Sequence, residues 1–334
     1  MKKRILGKDL TVSAVSLGCM GMTHASGTPA DPQEMTTLIH KAVHTGYLYF
    51  DTAECYTGVR ADGTTAYNEE LVGAALKPYR HEVVIATKCG VQHSPDGLVM
   101  DSRPETIRKS VEGSLKRLDT DYIDLYYQHR IDPEVPAEEV AGVMSELIKE
   151  GKILHWGISE TNEDYLRKAH SVCPVTAIQN RYSMMARWHE TIFPVLEELQ
   201  IGYVAFSPLA NGVLSDRYNK NSTFESGTDY RSFMPQFKPD AYEANQELFE
   251  LLRKLAQEKN GTPAQISLAW MLCKKPYIVP IPGTRKLDRL KENAGASDIA
   301  LTKQEVYAID TRLEKMSMSQ VFGGTQAAKP EDRD

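Results

Sequence analysis

The chain has 334 residues, of which 41% are hydrophobic and 25% are charged, as in an ordinary globular protein. Its formal net charge of −6 argues against nucleic acid or an anionic membrane surface as the main partner. The five cysteines, at positions 19, 55, 89, 173 and 273, contain no Cys-x-x-Cys pair. They therefore indicate free thiols rather than disulfides or a metal site.

The first residues, Met1-Lys2-Lys3-Arg4, are basic, but no apolar core of a signal peptide follows them. No apolar run approaches the length of a membrane span. We therefore expect a cytoplasmic protein.

Eight short apolar stretches predict parallel strands that are covered by helices or closed into a barrel. They are residues 14–18, 47–51, 83–88, 122–128, 153–159, 176–179, 203–207 and 277–281. Apolar residues recur at helical spacing over 33–45, 68–76, 104–118, 136–150 and 163–170. This alternation predicts an α/β protein built as a (β/α)8 TIM barrel. An open doubly wound sheet is the competitor, but Gly18-Cys19-Met20-Gly21-Met22 lacks the Gly-x-Gly-x-x-Gly of a dinucleotide-binding sheet.

Two regions lie outside this repeat. Residues 1–13 predict a β-hairpin that turns at Gly7-Lys8 and covers one end of the barrel as a lid. Residues 210–240 are rich in Gly, Asn, Ser and Pro and predict an extended loop after the seventh strand. Since no linker divides the chain, we expect a single domain over residues 1–334 that ends in a flexible tail at 316–334.

Polar side chains follow three successive predicted strands, at the barrel face where such enzymes place their chemistry. They are Asp51, Tyr56, Lys88 and His129. Tyrosine is a poor acid near neutral pH, and a neighbouring lysine cation is expected to lower its pKa. Aspartate would hold the lysine in place, and histidine would hydrogen-bond a substrate carbonyl. Singly, each has an ordinary structural explanation, such as a cap, a surface charge, a loop aromatic or a core histidine.

At these residues the chain resembles the aldo-keto reductases, in particular bacterial, plant and fungal reductases of aldehydes, aryl aldehydes, pyridoxal or sugars. The resemblance covers residues 1–315 and rests on motifs in the same order: Phe50-Asp51-Thr52-Ala53-Glu54-Cys55-Tyr56, Ala86-Thr87-Lys88, Tyr127-Gln128-His129, Gly157-Ile158-Ser159, Phe206-Ser207-Pro208-Leu209 and Ile281-Pro282-Gly283-Thr284-Arg285. It implies a catalytic tetrad of Asp51, Tyr56, Lys88 and His129. It also implies NADPH-dependent reduction of small aldehydes or ketones to alcohols, with Tyr56 as the general acid.

The resemblance also implies a cofactor site. Ser159 and Gln179 would hydrogen-bond the nicotinamide carboxamide, and Phe206 would stack on the ring. Many relatives have asparagine after the serine, whereas this chain has Glu160, which lacks a donor for the carboxamide oxygen. The other implied cofactor residues are Cys19, Met20, Ser207, Pro208, Leu209, Asn211, Arg217, Arg231, Gly283, Thr284, Arg285, Arg289, Glu292 and Asn293.

The choice between NADPH and NADH depends on two arginines, Arg285 and Arg289. They lie four residues apart near a predicted helix N-terminus, which suits the adenosine 2′-phosphate and favours NADPH. An ordinary surface pair between Arg289 and Glu292 remains the alternative.

The substrate pocket is expected to include Met20, Met22, Cys89 and the 210–240 insertion, although core packing explains the methionines equally well. We expect a small carbonyl or alcohol substrate, with neither nucleic acid nor a membrane as partner; the oligomeric state stays open. One alternative function is an NADPH-binding redox sensor, as in the potassium-channel β subunits of this family. His129 argues against it, because those subunits have asparagine there. A metal-dependent hydrolase or isomerase would need clustered His and carboxylate ligands.

Overall fold

A computed structural model describes residues 1–94 and 97–323. Its strands, in chain order, are β1 Lys3–Leu6, β2 Leu10–Ser13, β3 Leu17–Gly18, β4 Tyr49–Asp51, β5 Thr57–Val59, β6 Thr65–Tyr67, β7 Val84–Cys89, β8 Val91–Ser94, β9 Gly97–Met100, β10 Ile123–Gln128, β11 Ile153–Ser159, β12 Ala177–Arg181, β13 Gly202–Phe206 and β14 Ile278–Pro280. Eight of them form one parallel sheet in the order β3-β4-β7-β10-β11-β12-β13-β14. All eight predicted strands are therefore present, although the first, second, fourth and eighth are shorter than their apolar stretches.

The two edges of this sheet meet, which closes the barrel. The amide of Ser16 donates to the carbonyl of Pro280 at 3.0 Å, and Gly18 forms a parallel bridge with Gly283. A Cβ atom on Gly18 would lie 2.8 Å from the carbonyl oxygen of Ile281, so only glycine allows the strands to approach this closely. The predicted (β/α)8 barrel is confirmed.

Helices cover the outside of the barrel. They are α1 Pro32–Thr45, α2 Asn68–Leu76, α3 Pro104–Leu118, α4 Ala137–Lys149, α5 Glu163–Val172, α6 Phe193–Leu199, α7 Pro239–Ala244, α8 Gln246–Glu258, α9 Pro263–Lys274, α10 Leu287–Gly295 and α11 Lys303–Lys315. The first begins where the Asp31 carboxylate accepts two backbone N–H bonds and ends at Gly46, whose φ is +95°. No helix in the described part of the chain is long and apolar enough to span a membrane.

The β1–β2 hairpin closes the end of the barrel opposite to the strand C-termini. Its Leu6, Leu10 and Val12 join the buried cluster inside the barrel, together with strand residues such as Tyr49 and Val204. A separate and larger core lies between the strands and the helices. The hairpin lid is thus confirmed, and it leaves the other end of the barrel open for a site.

The segment after β13 is long, as predicted, but it contains short 3-10 turns at Ala210–Ser215, Tyr230–Ser232 and Pro235–Phe237. It packs against the start of the expected tail, where the amide of Phe322 donates to Gln236 Oε1 at 2.9 Å. Val321 is buried there as well. Residues 316–323 of the expected flexible tail therefore make ordered contacts, whereas residues 324–334 lie outside the described residues.

Candidate active site

Three neighbouring strands bring the predicted tetrad together at the C-terminal end of the barrel. Asp51 ends β4, Lys88 is the last but one residue of β7, and His129 directly follows β10. Tyr56 comes from the loop after β4. Because β4, β7 and β10 are adjacent in the sheet, residues far apart in sequence meet here.

Lys88 is the centre of the tetrad and is 0% exposed. Its Nζ donates to Asp51 Oδ1 at 2.5 Å, to the carbonyl oxygen of Thr52 at 2.7 Å and to the Tyr56 hydroxyl at 3.3 Å. The second oxygen of Asp51 accepts from Gln179 Nε2 at 2.7 Å and from the Tyr49 hydroxyl at 3.3 Å. All three ammonium donors therefore have acceptors, which fixes the distance between Lys88 and the tyrosine.

The electrostatics of the tetrad differ in one respect from the expectation. Burial raises the pKa of Tyr56 above its usual value and outweighs the opposing charge of Lys88. Burial by itself would lower the pKa of Lys88, but Asp51 and Tyr56 more than compensate, so that pKa is raised. At neutral pH the phenol is thus protonated and the amine is charged.

His129 stands edge-on to Tyr56, with 5.8 Å between the ring centroids. Burial, followed by the positive charges of Arg130 and Lys88, holds the pKa of His129 well below its usual value. Its Nδ1 lies 3.5 Å from Cys55 Sγ, and burial raises the pKa of that thiol to about 12. A protonated thiol is able to donate to Nδ1, and in that arrangement the neutral imidazole carries its proton on Nε2.

A cavity of about 740 Å³ opens above the tetrad and is large enough for an extended ligand. Asp51, Tyr56 and His129 line it, whereas Lys88 lies behind them. Of the predicted cofactor residues, those in the lining are Met20, Ser159, Gln179, Phe206, Ser207, Pro208, Leu209, Asn211, Arg217, Arg231, Gly283, Thr284, Arg285, Arg289, Glu292 and Asn293.

Besides Lys88, three predicted residues lie outside the lining. Cys19 is fully buried and its thiol faces the carbonyl of Leu17, because the side chain points away from the barrel mouth. Met22 is buried in the hydrophobic core, which is the alternative to a pocket role that the sequence left open. Cys89 is also buried, with its Sγ 3.5 Å from the carbonyl oxygen of Tyr127.

The wall near the tetrad carries the residues expected at the carboxamide. Ser159 Oγ donates to the carbonyl oxygen of Gln179 at 2.9 Å and accepts from Arg130 Nη1 at 3.1 Å. Glu160 turns away from this position, because its Oε1 accepts from the backbone N–H of Arg181 at 2.9 Å. The unusual glutamate is therefore engaged with the protein backbone.

The far end of the cavity is rich in arginine. Arg231 bonds Asp229 and donates to the Tyr218 hydroxyl at 2.7 Å, and Arg217 pairs with Glu292 at 2.6 Å. The surface pair of Arg289 with Glu292, which the sequence left open, is thus replaced by a pair with Arg217.

Two buried nitrogens at this end, Arg285 Nη2 and Arg289 Nε, have no hydrogen-bond partner among the described residues. Both arginines line the cavity. Buried guanidinium nitrogens without acceptors are costly, so this corner is suited to an anion.

The model of the Aldo/keto reductase family matches residues 14–314. The chain belongs to this family. It is 38% identical over 322 residues to "Probable aldo-keto reductase 1" of Glycine max, covering 94% of this chain and 88% of that protein. Among solved structures it resembles the glycerol dehydrogenase AKR11B4 from Gluconobacter oxydans, with a TM-score of 0.81, 28% identity and coverage of 94% and 95% of the two chains. It also resembles the holo form of the aldo-keto reductase AKR11C1 from Bacillus halodurans, with a TM-score of 0.74, 28% identity and coverage of 94% and 96%.

Membership in the aldo-keto reductases makes the chain an oxidoreductase. In this aldo-keto reductase the structure also shows residues in the cavity lining that the sequence analysis did not name. His24 stacks on Tyr56 with 5.9 Å between ring centroids, and Tyr230 meets His24 edge-on. Nothing in the local sequence marks His24, whereas Tyr230 belongs to the 210–240 insertion that the sequence placed at the pocket and that lines the cavity. Arg130 and Arg181 also line the cavity, and their positions beside His129 and two residues after Gln179 could have identified them.

Proposed function

We propose that this aldo-keto reductase reduces small aldehydes or ketones to alcohols with NADPH, and that Tyr56 is the proton donor. The observation that carries the proposal is the placement of the Tyr56 hydroxyl at the cavity, 3.3 Å from a buried lysine cation. A bound NADPH would supply the hydride to the carbonyl carbon. The protein would supply the proton to the carbonyl oxygen.

The charges of the tetrad suit this role. A raised pKa keeps the Tyr56 phenol protonated at neutral pH, so it can act as an acid. Once its proton has moved to the substrate oxygen, the tyrosinate is stabilised by the Lys88 ammonium. Asp51 keeps that ammonium charged and in place. Neutral His129, with its proton on Nε2, can donate a second hydrogen bond to the same oxygen.

The cavity fits a phosphorylated dinucleotide. Phe206 would provide the ring on which the nicotinamide stacks, and Ser159 and Gln179 would bind its carboxamide. The segment from Ser207 to Gly212 would cover the pyrophosphate. Arg285 and Arg289 would bind the adenosine 2′-phosphate, and their unsatisfied nitrogens support this assignment.

The first test follows the loss of NADPH absorbance with a panel of aromatic and short aliphatic aldehydes. Tyr56→Phe should keep NADPH affinity while losing most of the turnover, because only the proton donor is removed. Near-full activity of this variant would show that another group supplies the proton.

The second test addresses cofactor choice. Replacing Arg285 or Arg289 singly with alanine should weaken NADPH binding about 10- to 100-fold, since one charged hydrogen bond contributes about 1.5–3 kcal/mol. NADH binding, measured by the same fluorescence titration, should change little. Equal losses for the two cofactors would contradict the 2′-phosphate assignment.

A further inference from the structure

Arg181 is a buried cation in the wall of the cavity, and it has no partner among the described residues. Its side chain lies at the end of β12 and the residue is only 9% exposed. Within residues 1–94 and 97–323, its guanidinium forms neither a hydrogen bond nor an ion pair, and its Cζ lies 4.9 Å from the centroid of the Phe206 ring. The register of β12 and β13 places these two residues opposite each other.

The described residues do not balance the positive charge around Arg181. Burial lowers the pKa of Arg181 to about 10, Glu160 opposes this shift and Arg130 adds to it. The Glu160 carboxylate is already engaged, with Oε1 on the Arg181 backbone N–H and Oε2 3.8 Å from His189 Nε2. Two arginines therefore face one carboxylate that bonds neither guanidinium, and the excess positive charge borders the cavity. Such a site attracts an anion.

The position of this charge relates it to the tetrad. Side chains two residues apart on a strand point to the same side, so Arg181 projects on the side of Gln179, about 7 Å further along the strand. Gln179 itself bonds Asp51. Arg130 directly follows His129, and its Nη1 is 3.1 Å from Ser159 Oγ. One small substrate could therefore place an anionic group at the two arginines and its carbonyl group at the tetrad.

We propose that Arg181, together with Arg130, binds the carboxylate of the substrate, so that the enzyme prefers carbonyl compounds that carry a carboxylate several bonds from the C=O group. This inference rests on the proposed reductase function. The cofactor pyrophosphate is the other source of an anion in this cavity. The substrate is favoured because Arg130 comes directly after His129 and Arg181 ends β12 two residues after Gln179, whereas the segment assigned to the pyrophosphate, from Ser207 to Gly212, follows β13.

The test compares two rigid aldehydes that differ in one charge. Wild-type enzyme should reduce 4-carboxybenzaldehyde with a higher kcat/KM than methyl 4-formylbenzoate, its neutral ester. In Arg181→Met, kcat/KM for the acid should fall about 10- to 100-fold, the equivalent of one charged hydrogen bond. The value for the ester and the Kd for NADPH should each stay within about twofold, since a neutral substrate makes no use of this charge.

Two further variants serve as controls. Arg187→Met removes another largely buried arginine, which lies outside the cavity lining and 3.8 Å from Asp310, and it should leave the acid preference intact. Arg181→Lys keeps the positive charge and should retain part of the preference. Circular dichroism and thermal melting show whether each variant is folded.

The possible outcomes separate the sources of the anion. If Arg181→Met weakens NADPH and leaves the acid preference unchanged, the anion is the pyrophosphate and the proposal is wrong. Equal losses for acid and ester, or a wild type that does not prefer the acid, also overturn it. If wild type reduces neither aldehyde, the proposed function is at fault instead. Calorimetric binding of 4-(hydroxymethyl)benzoate to the NADP⁺-loaded protein then tests Arg181 directly, and binding that does not depend on Arg181 rejects the site.

Discussion

The buried pair of Asp51 and Lys88 allows stability and catalysis to be measured separately. Lys88 is fully enclosed and Asp51 is 3% exposed, so water hydrates either charge poorly when its partner is removed. Removing one member of a buried ion pair typically costs about 3–5 kcal/mol of unfolding free energy. The neutral donors Gln179 and Tyr49 still bond Asp51 in Lys88→Met. We therefore expect a cost near the lower limit, about 3 kcal/mol.

The double variant Asp51→Asn/Lys88→Met should reveal the coupling. Each single variant leaves one charge buried and unpaired, whereas the double variant leaves none. The two costs should therefore not add. The double variant should be destabilised by about 3 kcal/mol rather than about 6 kcal/mol, which is a coupling energy at the upper end of those measured for contacting residues. Turnover should be low in all three variants, because each lacks part of the group that positions and stabilises Tyr56.

The measurements are urea unfolding followed by circular dichroism and, on the same preparations, NADPH oxidation with an aldehyde. Tyr56→Phe is the matched control, since it removes the proton donor and keeps both charges. It should lose activity with little loss of stability. Additive costs in the double variant would mean that the two charges are not energetically coupled, and the account of the tetrad as one buried ionic unit would be refuted.

Two more predictions concern Cys55 and a barrel glycine. Cys55→Ala should lower kcat about fivefold, because a neutral hydrogen bond that selects the His129 tautomer contributes about 1 kcal/mol. Cys55→Ser should restore most of the lost kcat, because the serine hydroxyl can replace the hydrogen bond. The measurements are kcat and the ¹⁵N spectrum of His129; a serine variant that matches the alanine variant in both would contradict this role of Cys55. Gly157→Ala should destabilise the barrel by about 1–3 kcal/mol or more, since its Cβ would lie 2.4 Å from the carbonyl oxygen of Ala177. Gly142→Ala in helix α4, with nothing within 4 Å of its Cβ, should instead stabilise by about 0.5–1 kcal/mol in the same thermal melts.

Local sequence determined the barrel and the position of its chemistry. Apolar strand stretches alternate with helical periodicity, and the elements so predicted recur within a few residues of their bounds. Residues such as Asp51 and Lys88 could be assigned to one face because every parallel strand of a barrel ends there. Strand stretches, helical periodicity and strand-end residues each depend on only a few neighbouring residues, so they can be recognised in a single sequence.

The tertiary structure decided what depends on neighbours distant in sequence. The direction of the Tyr56 pKa shift reflects a balance between burial and the Lys88 charge, which no local motif reports. The family resemblance assigned Cys19 to the cofactor site, yet its side chain is buried in the core. Whether Arg181 has a partner depends on where every carboxylate in the folded chain ends up. Desolvation and pairing are properties of the packed interior, and only the folded structure specifies them.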